Sequence, residues 1–153
     1  MFKRAKNTNA FSLIELMIAS AILMFIMIGM LSTYIACFEL NEFTRNLTLT
    51  NNALQAKMET LRETPFDSLL SLDGTNFSLN GFSASNAKGV IDVYSTAYSD
   101  LIYVRLVACW KQKAGRVIGE DKNLNGRLDL GEDDGDGVLE SPAEIVSFIS
   151  RAE

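Results

Sequence analysis

The sequence has no histidine, only two cysteines and only two prolines among its 153 residues. Without histidine, it lacks the commonest general base and the commonest transition-metal ligand. It also has no Ser/His/Asp or Cys/His set and no phosphate-binding loop, so we predict that it is not an enzyme. An oxidising compartment would permit a Cys37–Cys109 disulfide, but Cys37 ends an apolar run and Cys109 lies in a distal strand pattern. We therefore expect two buried free thiols.

Positive charge is scarce as well. The formal net charge is −5, and residues 120–144 hold nine acidic and two basic residues, a net −7 that leaves +2 for the rest. A nucleic-acid-binding domain shows the opposite pattern, a clustered basic surface. We therefore expect no direct nucleic-acid partner.

The longest feature present is an apolar run over residues 13–38, in which Glu15 is the only charge. About 20 such residues span a bilayer as a helix. Lys3, Arg4 and Lys6 precede the run, which predicts a cytoplasmic N-terminus and a C-terminus across the membrane. A carboxylate inside a membrane helix costs roughly 2–4 kcal/mol and indicates a function. The alternative is that Glu15 reaches the head groups, near the favourable helix N-terminus.

The basic leader, the junction of Ala10 with Phe11, Glu15 and the apolar helix resemble the class III signal of type IV pilins and type II secretion pseudopilins. The resemblance implies cleavage between Ala10 and Phe11 by prepilin peptidase, N-methylation of Phe11 and a role of Glu15 in assembly. Ala10 stands where that family usually has Gly. The implied divisions are a leader at 1–10, a transmembrane and assembly helix at 11–38 and a head at 39–153.

The resemblance also implies a function and a location. The chain is expected to be a structural filament subunit in the bacterial inner membrane, with its head in the periplasm and extracellular once assembled. Its partners would be other pilin or pseudopilin subunits, prepilin peptidase and the membrane assembly platform. No proline precedes Pro65, whereas many major pilins have one in the membrane half, which favours a minor pilin or minor pseudopilin. The alternative is a single-pass, calcium-binding envelope protein that never polymerises.

Beyond the membrane run, an apolar stripe at helical spacing extends the same helix towards Thr64 and Pro65, where proline ends it. We therefore predict one helix of about 50 residues, transmembrane in its first half and amphipathic in its second. The stripe comprises Leu40, Phe43, Leu47, Leu54, Met58 and Leu61.

Strand patterns follow at residues 90–95, 101–111, 116–118 and 145–150, after a connecting loop at 66–89 with a short strand near Phe77. In residues 101–111 the even positions are all apolar, which predicts that they face the long helix and that the odd positions mostly face outward. The expected fold class is α+β, with the long helix packed on a small antiparallel sheet.

An acidic insert at 119–144 separates the last two strand patterns. It contains a twelve-residue stretch with the spacing of an EF-hand calcium loop, including Gly126 at the sharp turn and Leu128 at the apolar position beneath the loop. Such hard oxygen ligands predict one Ca²⁺ ion. The expected ligands are Asp121, Asn123, Asn125, the carbonyl of Arg127, Asp129 and Glu132.

A second, overlapping pattern offers Asp134, Asp136 and Glu140, but its twelfth position is Ala143, which cannot be a ligand. A second calcium ion is therefore a weaker expectation. The alternative for the whole insert is a solvated acidic turn with Asn-Gly and Asp-Gly bends. No helical pattern flanks either loop, so the insert is expected to hold a loop in place and not to act as a sensor.

Overall fold

The computed structural model describes residues 12–132 and 135–151. These residues form two units, one up to Asn41 and one from Glu42 onward, and each is described by itself. The helices are α1 (Leu13–Arg62) and α2 (Phe66–Leu69), followed by a 3-10 turn (Leu70–Leu72). The strands are β1 (Thr75–Phe77), β2 (Ala87–Ser95), β3 (Leu101–Lys111), β4 (Val117–Ile118) and β5 (Glu144–Ser150).

Helix α1 has 50 residues and ends at Arg62, which confirms the predicted length and the stop before Pro65. The last turn tightens as the Thr64 amide bonds to the Leu61 carbonyl at 3.1 Å. The residue before a proline disfavours the α region, so the helix cannot continue. Among the described residues, α1 is the one helix long and apolar enough to cross a membrane.

The five strands form one antiparallel sheet with β3 at its centre. Strand β2 pairs with one side of β3 along its whole length, from Ala87 opposite Trp110 to Ser95 opposite Ile102. On the other side, β4 pairs with the last two residues of β3 and β5 pairs with residues 101–107. This arrangement confirms the predicted α+β class and leaves β5 at an edge of the sheet.

The main core lies between the inner face of this sheet and the second half of α1. The buried α1 side chains Leu54, Met58 and Leu61 are at most 2% exposed. The alternation in β3 turns all even positions inward, which confirms the predicted inner face. The core members from β3 are Ile102, Val104, Leu106, Ala108 and Trp110.

The outer face of the sheet is covered in part. The odd positions of β3 take this face, as predicted, but Arg105, Val107 and Cys109 are at most 6% exposed there. The insert folds back over this face, so that Leu128 and Leu139 pack on Val90 and Val107 in a second, smaller core. Alternation reports which face a side chain takes but not what covers that face.

Two further expectations were wrong in detail. The segment after Pro65 begins with α2 and a 3-10 turn where we expected a loop, whereas β1 confirms the short strand predicted near Phe77. Both cysteines are free thiols as expected, and Cys109 is buried, but Cys37 is exposed on α1. Cys37 lies in the apolar run of α1, where the described part of the protein does not cover its side chain.

Candidate functional site

The first candidate site is the beginning of α1. The Ser12 carbonyl accepts the amides of Glu15 at 3.0 Å and Leu16 at 3.2 Å, so Glu15 lies in the first helical turn. The positive end of the helix dipole favours a carboxylate there. Among residues 12–132 and 135–151, no basic side chain forms an ion pair with Glu15. Ala10 and Phe11 lie outside the described residues.

Around Glu15 the helix surface is apolar and open. Leu13 is 77% exposed, Ile14 66% and Leu16 64%, and large apolar side chains continue along every face to Phe38. A helix that is apolar on all sides is stable only inside a membrane or against other apolar helices. The first unit therefore offers one carboxylate in an extended apolar surface, which fits a membrane anchor.

The second candidate site is the loop over residues 121–132. Asp121 is fully buried, and its two carboxylate oxygens accept the amides of Asn125 at 3.0 Å and Gly126 at 2.7 Å. Burial raises the pKa of Asp121 above its ordinary value, although the amide bonds from Gly126 and Asn125 oppose the shift. A buried carboxylate in an acidic segment costs stability unless a positive group compensates it.

Glu132 closes this loop. Its Oε1 accepts the amides of Lys122 at 3.0 Å and Asn123 at 3.2 Å, and its Oε2 accepts the Asp129 amide at 3.3 Å. The side-chain amides of Asn123 and Asn125 both donate to Asp129 Oδ2 at 2.7 Å. Asn123, Asn125 and Asp129 are thus joined through their side chains, whereas Asp121 and Glu132 bond to backbone amides of the same loop.

Arg127 was expected to contribute only its backbone carbonyl, and its amide donates to Asn125 Oδ1 at 2.7 Å. The loop is joined to the sheet at Asn76 of β1, whose side-chain amide donates to the Asn125 carbonyl at 3.0 Å. A Cβ added at Gly126 would lie 2.3 Å from Asn76 Oδ1, and Gly126 has φ +76°. Glycine therefore suits the conformation of this position, and a larger residue would displace the Asn76 side chain that joins the loop to β1.

The donor set suits calcium, but the described part of the chain contains no group of three or more His, Cys, Asp or Glu side chains arranged to hold a metal. Each asparagine has an amide oxygen that can be a ligand as well as the NH₂ group that donates here. In the second pattern, Asp136 Oδ1 accepts the Val138 amide at 2.8 Å, and the Glu140 amide donates to Glu120 Oε2 at 2.9 Å. Asp134 lies outside the described residues.

Sequence reasoning missed the charged cluster that joins the insert to the sheet. Arg105 Nε and Nη2 donate to the two carboxylate oxygens of Glu144 at 2.8 and 3.0 Å, and Nη2 also donates to the Leu139 carbonyl at 2.9 Å. Asp92 of β2 lies 3.6 Å from Nη1. The hydrogen bonds to the Glu144 carboxylate raise the pKa of Arg105, burial opposes this shift, and the charges of Glu144 and Asp92 add to it. The available signal was a lone arginine within an apolar strand pattern.

Comparison with known protein families gives a match at the N-terminus. Residues 5–31 match the model of the prokaryotic N-terminal methylation motif. This range includes the Ala10–Phe11 junction, Glu15 and the first part of α1. No curated protein and no solved structure matches the chain significantly.

The motif and the fold point to one class of protein. Residues 5–31 carry a prepilin-type N-terminal methylation motif, and the long N-terminal helix with an antiparallel sheet fits the pilin-like fold. This class is structural and not enzymatic, which confirms that prediction. The motif implies processing by prepilin peptidase and assembly with other pilin subunits.

Proposed function

We propose that this protein is a minor pilin or minor pseudopilin of a type IV pilus or a type II secretion-like filament. After cleavage at Ala10, α1 anchors the subunit in the inner membrane with its head in the periplasm, and the subunit then enters the filament through α1. The absence of proline between Leu13 and Arg62 favours a minor subunit over a major one.

The observation that carries this proposal is Glu15, the single charge in residues 13–38, within a matched methylation motif. An α-amine has a pKa near 8, so the new amine of Phe11 is positively charged at neutral pH. In an apolar bundle of helices, Glu15 pairs with the Phe11 amine of a neighbouring subunit. Each charge alone would be strongly penalised there, and pairing offsets much of that cost.

Glu15→Ala tests this role in cells that assemble the filament. The variant should insert into the membrane and be cleaved normally, but its share of sheared filaments should fall at least about tenfold, because about 1.4 kcal/mol of lost pairing already gives that factor. Glu39→Ala is the matched control, since Glu39 is a second exposed glutamate on α1. Normal incorporation of Glu15→Ala would exclude the pairing role.

The alternative is a single-pass, calcium-binding envelope protein that does not polymerise. It shares the anchor and the head but needs neither cleavage nor Glu15. If the chain keeps its first ten residues in cells with active prepilin peptidase, this alternative is favoured.

We further propose that one calcium ion stabilises the head at the loop 121–132. Asp121, Asn123, Asn125, the Arg127 carbonyl, Asp129 and Glu132 would hold the ion. Two observations support the proposal: the six residues have EF-hand spacing within one hydrogen-bonded loop, and Asp121 is fully buried without a cationic partner among the described residues. Bound calcium would supply the positive charge that this acidic segment lacks. Asp134, Asp136 and Glu140 make a weaker second candidate.

Thermal melting of the full chain in detergent, with calcium or with chelator, tests the calcium proposal. At a hundredfold excess over Kd, binding to the folded state adds about 2.7 kcal/mol, so the melting temperature should rise with calcium. Glu132→Ala should remove most of that rise, whereas Glu63→Ala, an exposed glutamate after α1, should keep it. If chelator changes neither the melting temperature nor the proteolysis of residues 119–144, the insert is only an acidic turn.

A further inference from the structure

Strand β5 presents a free backbone edge. In an antiparallel pair of strands, every second residue directs its backbone N–H and C=O groups at the partner strand, and the residues between direct theirs away from it. The Ala108 amide bonds to the Ala143 carbonyl and the Arg151 amide to the Asp100 carbonyl, so the odd residues of β5 direct their backbone groups at β3. The amides of Val146, Phe148 and Ser150 therefore point away from the sheet. No hydrogen bond within the described residues engages these three amides.

This edge lacks the features that normally prevent pairing with another chain. Natural edge strands are protected by charged residues, proline, bulges or very short length. Residues 145–150 contain no charge and no proline, and the register of β5 with β3 is unbroken over seven residues. An edge of this kind is a template for an added strand.

The side chains beside the free edge form an exposed aromatic row on the outer face of the sheet. Tyr94, Tyr103 and Phe148 lie on three adjacent strands, with ring centroids 5.8 and 5.4 Å apart. Tyr94 is 48% exposed, Phe148 60% and the neighbouring Val146 44%. The insert covers the outer face only as far as Arg105, so this row remains open.

We propose that the edge of β5 binds an extended strand of a different polypeptide, whose backbone bonds to Val146, Phe148 and Ser150 and whose apolar side chains continue the aromatic row. The β5 strand starts directly after the insert, whose residues 120–144 carry net charge −7, whereas Arg151 follows its other end. Charge complementarity therefore favours a basic residue of the incoming strand at the Glu144 end. The proposal does not depend on the filament role or on calcium.

The test uses the full chain in detergent micelles and a synthetic peptide, Thr-Val-Thr-Val-Thr-Val-Lys, whose lysine meets the Glu144 end in an antiparallel pair. Amide hydrogen exchange is measured residue by residue. Without peptide, Val146, Phe148 and Ser150 should exchange much faster than Ile145, Ser147 and Ile149. About 1 mM peptide should slow the first three amides at least roughly tenfold and leave the others unchanged.

Val146→Pro and Val146→Ala separate backbone pairing from apolar contact. Proline removes only an amide that points away from β3, which an edge strand tolerates, whereas alanine keeps that amide. Protection by the peptide should disappear in Val146→Pro and persist within about threefold in Val146→Ala, with both variants keeping the slow exchange of Ile145 and Ile149. If Val146→Pro binds as wild type, or if the peptide protects none of the three amides, the proposal is overturned.

Two other outcomes would also overturn the proposal. Slow exchange of the three amides in dilute chain without peptide would mean that the chain covers its own edge. Protection that rises with chain concentration without peptide would mean that a second copy is the occupant.

Discussion

Arg105→Met replaces the guanidinium that joins the insert to the sheet with an apolar side chain of similar length. Arg105 is 6% exposed, and the substitution leaves the Glu144 carboxylate and the Leu139 carbonyl without their donor. Removing one partner of a buried ion pair costs about 3–5 kcal/mol. Since the Glu144 side chain is 33% exposed, we expect the free energy of unfolding to fall by about 3 kcal/mol, the lower end of this range. That is a large fraction of the total stability of a small domain.

Urea unfolding of the full chain in detergent measures this loss. Trp110 is the only tryptophan and is fully buried, so its fluorescence reports the folding of the head. Arg151→Met is the matched control, because Arg151 pairs with Asp67 and both side chains are at least 51% exposed. An exposed pair contributes about 0–1 kcal/mol, so this control should unfold nearly as wild type.

A second substitution tests the cause of the loss. Adding Glu144→Gln to Arg105→Met removes the carboxylate that was left unpaired, so the double variant should recover part of the stability. Trypsin should also cut the insert faster in Arg105→Met than in Arg151→Met. If Arg105→Met lies within about 1 kcal/mol of wild type, Arg105 does not fasten the insert and the reasoning is refuted.

The features that sequence predicted correctly depend on local pattern. Helical spacing of Leu54, Met58 and Leu61 identified the buried face of α1, and alternation in β3 identified its inner face. The methylation motif is a contiguous signal and was equally accessible. The predicted calcium ligands also rest on local spacing, and both these ligands and calcium binding stay predictions.

The features that sequence missed depend on contacts between distant segments. Arg105 was predicted to face outward, and alternation cannot show that Leu128 and Leu139 of the insert return to cover that face. The apolar Val107 and Cys109 at odd positions were the available clue, since an exposed face rarely carries both. The free edge of β5 was also invisible, because strand order follows from pairing and not from alternation.

Two further predictions concern the cysteines. In membranes without detergent, a brief treatment with a small apolar maleimide should label Cys37, which is exposed. Cys109 should react only on unfolding, because it is buried and burial raises the pKa of its thiol to about 11. Since the ordinary pKa is 9.0, the folded state disfavours the thiolate, so stability should fall as the pH rises from 9 to about 11. Cys109→Ala should flatten this part of the pH profile of urea unfolding, and an unchanged slope would contradict the assignment.

The central claim is that the chain is a processed filament subunit, and the mass of its N-terminus tests this most directly. The chain is extracted from membranes of cells with active prepilin peptidase, and its N-terminal peptide is analysed by mass spectrometry. We predict a mature chain that begins at Phe11 with one added methyl group on its amine. A chain that still begins at Met1 in those cells would contradict the account.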